Sequence, residues 1–247
     1  MKNENENENK SVIANGVKID LHEDLSNFVS FLKVKKGIVV SIGAEAIMTN
    51  DLSFKMLTQK KYTFTHADGE AAVLALKSVF KFCKSPKIAG VELWRKYIEA
   101  SDEKIKVYLL GSTDLVLNKT IEKITLKYHN IEVVGFSNGY FNDECFAAIQ
   151  EEILSLKPAM VLVALGQPKQ EYIAEKLFHI HPSLYFCIGG SLDVYSGNTK
   201  RAPKLFIKFK LEWFYRLLLE PSRILRQRAI PKFILFYLFR RNEITRN

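Results

Sequence analysis

The chain has 247 residues, 47% apolar and 26% charged, which suits one large globular domain or one domain with an appendage. Its formal charge of +9 is confined to one end: residues 200–247 hold thirteen Lys/Arg against three Asp/Glu, leaving 23 basic and 24 acidic residues elsewhere. An anionic partner should therefore meet the C-terminal segment, and no run reaches the 18 or so apolar residues of a bilayer-spanning helix.

The opening MKNENENENK is polar and of low complexity, and residues 1–15 read as a disordered extension with no secretory apolar segment after it. From residue 16 to 195 the pattern is that of an α/β domain. KGIVVSIG predicts a strand and AEAIMTNDLSFKMLTQ a helix. GEAAVLALKSVFKFC predicts another helix. Strand and helix then alternate through KIKVYLLG, TDLVLNKTIEKITLKY, IEVVGFSNG, NDECFAAIQEEILSLK, PAMVLVALG, PKQEYIAEKLFHI and SLYFCIGG. Continuous apolar strands between amphipathic helices imply a mainly parallel, doubly wound, Rossmann-like sheet. Cys83, Cys145 and Cys187 are odd in number, far apart and without a CxxC pair, and they read as reduced thiols rather than a zinc site.

Glycines mark the predicted strand ends: Gly43, Gly111, Asn138-Gly139, Gly166 and Gly189-Gly190. In a parallel sheet those ends share one edge, where open α/β folds bind ligands and helix N-termini can hold phosphate. Taken alone, each glycine could serve only a tight turn; five on one edge favour a ligand crevice. Two motifs could carry chemistry. THADGEAAVLAL places Asp68 before a glycine at a helix start, where it could act chemically or simply cap the helix. GQPKQE ends a strand at Gly166 and crowds Gln167, Lys169, Gln170 and Glu171 into a first helical turn, able to face sugar hydroxyls or phosphate, or only solvent. Neither a Walker A loop nor GxGxxG is present.

After Gly190, SLDVYSGNTKRAP reads as a loop, and residues 196–247 as a basic helical appendage broken by Pro221 and Pro231. Arg216, Arg223 and Arg226 fall at steps of seven and three, a spacing that suits a pyrophosphate. Phe206, Phe209, Trp213, Phe214, Phe233, Phe236 and Phe239 supply apolar contact for a bilayer or a core, so the segment reads as an interfacial membrane element or as a helical pair docked on the domain.

In order along the chain, DG at 68–69, KIAGVEL, VYLLGS, VVGFSNGYF, GQPKQE, IGGSLDVYSG and RAP with LEWFYRLLLEPSRILRQR resemble the WecG/TagA/CpsF family of bacterial glycosyltransferases, from about Ile38 to Arg228. The resemblance implies an inverting transferase. It would move an N-acetylmannosamine-type sugar from UDP to N-acetylglucosamine on undecaprenyl pyrophosphate, for a teichoic-acid linkage unit, enterobacterial common antigen or capsule-like glycan. It implies work at the cytoplasmic face of the membrane, no metal or other cofactor, and a possible homo-oligomer. Asp68 would be the base. Ser41, Gly111, Ser112, Asn138, Gly139, Tyr140, Gly166, Gln167, Lys169, Gln170, Glu171 and Asp193 would hold the UDP-sugar, and Arg201, Arg216, Arg223 and Arg226 the acceptor pyrophosphate at an anionic membrane surface.

The chain departs from the family pattern in three places. Gly43 stands where many members carry Asn, Lys87 where Arg is common, and Ala67 where Pro is frequent. The first two remove an amide and a bidentate fork, and bear on which sugar is used rather than on the reaction type. Two other functions fit the sequence less well. A nucleic-acid-binding module would rest on charge alone, and the aromatics of the tail alternate with Leu and Ile instead of forming stacking platforms. A nicotinamide oxidoreductase would lack its glycine fingerprint.

Overall fold

The computed structural model describes residues 10–80, 86–199, 203, 206, 215, 217 and 228–247. The chain opens with a hairpin, β1 (Ser11–Ala14) and β2 (Val17–Asp20), followed by α1 (Leu25–Leu32), β3 (Gly37–Ile42), α2 (Ala44–Ile47), α3 (Leu52–Thr58) and β4 (Thr63–Ala67). Next come α4 (Glu70–Val79), α5 (Gly90–Glu99), β5 (Ile105–Gly111), α6 (Asp114–Lys127), β6 (Ile131–Ser137), α7 (Asp143–Leu156), β7 (Met160–Ala164), α8 (Lys169–Ile180), β8 (Leu184–Cys187) and α9 (Ser191–Ser196). Near the C-terminus stand α10 (Ala229–Phe239) and β9 (Thr245–Arg246).

Six parallel strands form the central sheet in the order β4-β3-β8-β7-β5-β6. Period-two alternation sends Ile38, Val40, Tyr108, Leu110, Val161, Val163 and Tyr185 to one face, and Val39, Val107, Leu109, Met160, Leu162 and Phe186 to the other. Both faces are covered by helices, which is why these strands are apolar throughout. Connections running toward the β4 edge carry α3, α7 and α8 on the first face; those running toward β6 carry α5 and α6 on the second. A single crossover hand requires that division. The connections leaving β5 and β7 run in opposite directions, so the crevice between their C-terminal ends is a topological switch point.

The parallel sheet expected from the sequence is present, and several local expectations change. Residues 11–14 belong to the folded body: β1 pairs antiparallel with β2 and with β9, and Val12 and Ala14 are buried. The hairpin turn is Asn15-Gly16, both at positive φ, the geometry that matches the twist of paired strands. The helix expected over 44–59 is two helices, with Asp51 capping the second by accepting from the Phe54 N–H. TFTHA is an unforeseen strand, and SLDVYS, read as loop, is α9.

The basic appendage expected from residue 196 onward is only partly described; Arg201, Arg216, Arg223 and Arg226 lie outside the described residues. Pro231 stands in the first turn of α10, where its missing N–H costs nothing, and it does not break that helix. Phe233 and Phe236 of α10 are buried in the main core, so this part of the C-terminal segment is structurally one with the domain. Phe236→Ala is expected to lower the unfolding free energy by about 3 kcal/mol in a urea titration. A loss under about 1 kcal/mol would show that α10 contributes no core.

Candidate active site

The C-terminal ends of the parallel strands and the N-termini of α4, α5, α6, α8 and α9 converge on one edge. Each helix start turns the positive end of its dipole toward the edge, which suits the edge to a diphosphate. Hydrogen bonds knit its loops together. The Asp68 N–H donates to the Ile42 carbonyl (2.9 Å), the Ser112 N–H to Ala164 (3.0 Å), and the Gly139 N–H to Ser112 (2.9 Å). Gln167 Nε2 donates to the Ser41 carbonyl at 3.0 Å, and Lys169 Nζ reaches the Gly139 carbonyl at 3.4 Å.

Asp68 follows β4 directly. It stands before α4, whose N-cap is Gly69, and it also reaches another helix: the first N–H of α5, from Gly90, donates to Asp68 Oδ2 at 3.1 Å. This fixes the carboxylate across the mouth of β4. Beside it, Ser41 of β3 pairs in register with His66 of β4, and Ser41 Oγ lies 3.0 Å from His66 Nε2. The other ring nitrogen, Nδ1, lies 3.0 Å from the Ile88 carbonyl. His66 is 1% exposed, and burial, reinforced by neighbouring His22, depresses its pKa to about 3. A side chain at Gly90 would bring Cβ within 3.1 Å of Ser41 Oγ and 3.5 Å of Asp68 Oδ2, with Ser191 Oγ 3.9 Å away. Glycine there keeps open the space that these three oxygens border. Gly90, Ser191 and His66 were not among the expected site residues. Gly90 and Ser191 sit inside segments that carry the family resemblance, and His66 lies two residues before Asp68 on the same strand.

GQPKQE is divided by its own helix. Gly166 sits at positive φ with open space beside it, Gln167 is half-buried at the mouth, and Lys169 is exposed over the Phe141 ring at 4.8 Å. Gln170 and Glu171 point inward, 3% and 0% exposed. Gln170 Oε1 accepts from the Gly189 N–H at 2.9 Å, and its Nε2 donates to Glu171 Oε1 at 2.8 Å. These two residues, expected to touch the donor, instead clamp the turn after β8 from beneath. Burial pushes the Glu171 carboxyl up to about 7, against the opposing pull of the Gln170 amide.

Across the switch point, Gly111 (φ 118°) and Ser112 (φ 59°) make a left-handed turn. Asn138 frames the adjoining loop: its Nδ2 donates to Asp114 at 3.1 Å, and its Oδ1 accepts from the Tyr140 N–H at 3.0 Å. Tyr140 projects outward, 80% exposed. Asp193 lies in α9, where its carbonyl accepts from the Thr199 N–H and from Ser196 Oγ. Of the expected residues, the edge gathers Ser41, Asp68, Gly111, Ser112, Asn138, Gly139, Gly166, Gln167 and Lys169.

Residues 14–247 match the family described as the glycosyl transferase WecG/TagA/CpsF family. An N-acetylglucosaminyldiphosphoundecaprenol N-acetyl-beta-D-mannosaminyltransferase of Bacillus spizizenii is 36% identical over 221 residues, covering 85% of this chain and 84% of that protein. The chain belongs to the WecG/TagA/CpsF family and is a glycosyltransferase.

The inward carboxyl of Glu171 sets a pH dependence of stability. Its folded pKa lies above the ordinary 4.5, so its contribution is complete below about pH 4.5 and is lost as pH rises through about 7. Glu171→Gln stays neutral throughout. The variant is expected to gain on the parent by about 3 kcal/mol between pH 4.5 and pH 8.5 in denaturant titrations. An equal difference at both pH values would show that the carboxyl ionises in the folded protein as it does in the unfolded one.

Proposed function

We propose that this chain transfers an N-acetylmannosamine-type sugar from a UDP donor to N-acetylglucosamine on undecaprenyl diphosphate, with inversion, at the cytoplasmic face of the membrane. The Bacillus relative's name supplies the sugar and the acceptor. The observation that carries the chemistry is the Asp68 carboxylate, held by the Gly90 N–H at the ligand-binding end of β4. In this reading an acceptor hydroxyl oxygen attacks the sugar's anomeric carbon from the face opposite UDP. The bond to the UDP oxygen breaks, UDP leaves, and the hydroxyl proton passes to Asp68. The diphosphate's charge is met by the helix N-termini of the edge, by Lys169, and by Arg201, Arg216, Arg223 and Arg226 of the C-terminal segment rather than by a metal.

α10 supports the membrane part of this reading. Its inward face is Phe233 and Phe236, and its outward face carries Ile234, Leu235, Leu238 and Phe239, all more than half exposed, next to Lys232, Arg240 and Arg241. An apolar strip flanked by cations suits the interface of an anionic bilayer. Among the described residues no helix is long and apolar enough to cross a membrane.

With UDP-N-acetylmannosamine and a lipid-diphosphate-GlcNAc analogue, the protein should release UDP, and Asp68→Asn should cut kcat by roughly 10²–10⁴-fold with unchanged circular dichroism. An active Asp68→Asn enzyme would remove Asp68 as the base. Separately, Leu235→Glu with Leu238→Glu should abolish co-sedimentation with phosphatidylglycerol vesicles while leaving the Tm close to that of the parent; full retention of binding would remove α10 from the membrane contact.

A further inference from the structure

His66 is a buried histidine with both ring nitrogens engaged, one layer beneath the open mouth of the site. The Ile88 carbonyl can only accept, so the ring nitrogen 3.0 Å from it, Nδ1, must carry a proton. The reverse tautomer would set a bare nitrogen against that oxygen. A doubly protonated ring would place a charge in a site 1% exposed, and burial holds the ring neutral down to about pH 3. Nε2 is therefore a bare acceptor, and the hydroxyl within reach of it is that of Ser41, at 3.0 Å. The Ser41 proton is committed downward, into the protein. What Ser41 Oγ can offer the cavity bordered by Gly90, Asp68 and Ser191 is lone pairs.

We infer that His66 is a positioning residue that makes Ser41 an obligate hydrogen-bond acceptor, so that the substrate group seated on Ser41 is an N–H or O–H of the bound sugar and not a phosphate or carbonyl oxygen. The inference rests on the reading of this edge as the sugar site. It gives a division of labour: anionic oxygens of the donor go to helix N-termini and Lys169, while Ser41 and Asp68, both acceptors, face hydroxyl or amide protons. It also gives His66 a role in a layer where its ring packs near Phe28 (ring centroids 5.9 Å apart), which His22 also stacks against. The His66 ring converts the side chain of Ser41, which could turn either way, into one of fixed polarity.

The test has two arms on the full-length protein. Selective ¹⁵N labelling of the histidines should show His66 as the Nδ1–H tautomer, with a pyridine-like Nε2 signal unchanged from pH 6 to 8. This arm needs no substrate, so it stands or falls separately from the transferase reading. An Nε2–H signal would overturn the inference. In the kinetic arm, Ser41→Ala and His66→Phe should each raise the donor KM by about ten-fold with kcat little changed. The double variant should be no worse than either single one, because His66 acts only through the Ser41 hydroxyl. Multiplied losses in the double variant, or a loss of kcat without a change in KM, would overturn it. Should His66→Phe fail to fold, the tautomer assignment and Ser41→Ala still decide the matter.

Discussion

One backbone contact brings the site together: the approach of Gly111 to Ala164. A Cβ at Gly111 would stand 2.3 Å from the Ala164 carbonyl oxygen, and the residue sits at φ 118°. A side chain is therefore excluded twice over, by space and by torsion. Because the turn closes this tightly, Ser112 reaches back to β7 and receives the Gly139 N–H in turn. Three loops from three strands are thus joined where the chain's connections diverge. The crevice is a product of topology, and the glycine is what lets the strands on its two sides meet at its floor.

The parts of the fold legible in the sequence were those with one dominant physical cause. β3, β5, β7 and β8 are buried on both faces, so they are continuous apolar runs with little ambiguity. β4 has the same burial and a different composition. Thr65 and His66 are polar and were passed over, because their satisfaction comes from distant partners: Thr65 exchanges hydrogen bonds with Asp20 at 2.8 Å, and His66 bonds Ser41 and Ile88. Local sequence cannot report a partner 45 positions away. The hairpin was legible in principle, since Asn15-Gly16 is a strong turn signal, but the polar repeat preceding it drew the boundary too far along the chain.

The site divides in the same way. Glycines at strand ends were readable because a parallel sheet fixes where strand ends go, whereas Asp68 was legible only as the start of a helix, since β4 before it has no apolar run. The misreading of Gln170 and Glu171 came from treating polar residues after a strand as exposed. The first turn of α8 rotates them toward the core, and there Gln170 braces the turn after β8. A motif recognised as a unit can thus be split by its own helix, one half exposed at the crevice and the other supporting the scaffold beneath it. Only the side-chain directions separate them.

The small sheet carries a consequence of another kind. β1 lies between β2 and β9, and Asn247 hydrogen-bonds Ser11 across 236 positions of chain. The 236 positions that separate Ser11 from Asn247 take on the order of tens of seconds to translate, and for that time the edge of β1 that later meets β9 has no partner strand. An open strand edge is a template for any passing strand. The nascent protein therefore carries an open template at β1, and covers it only when Thr245 and Arg246 arrive.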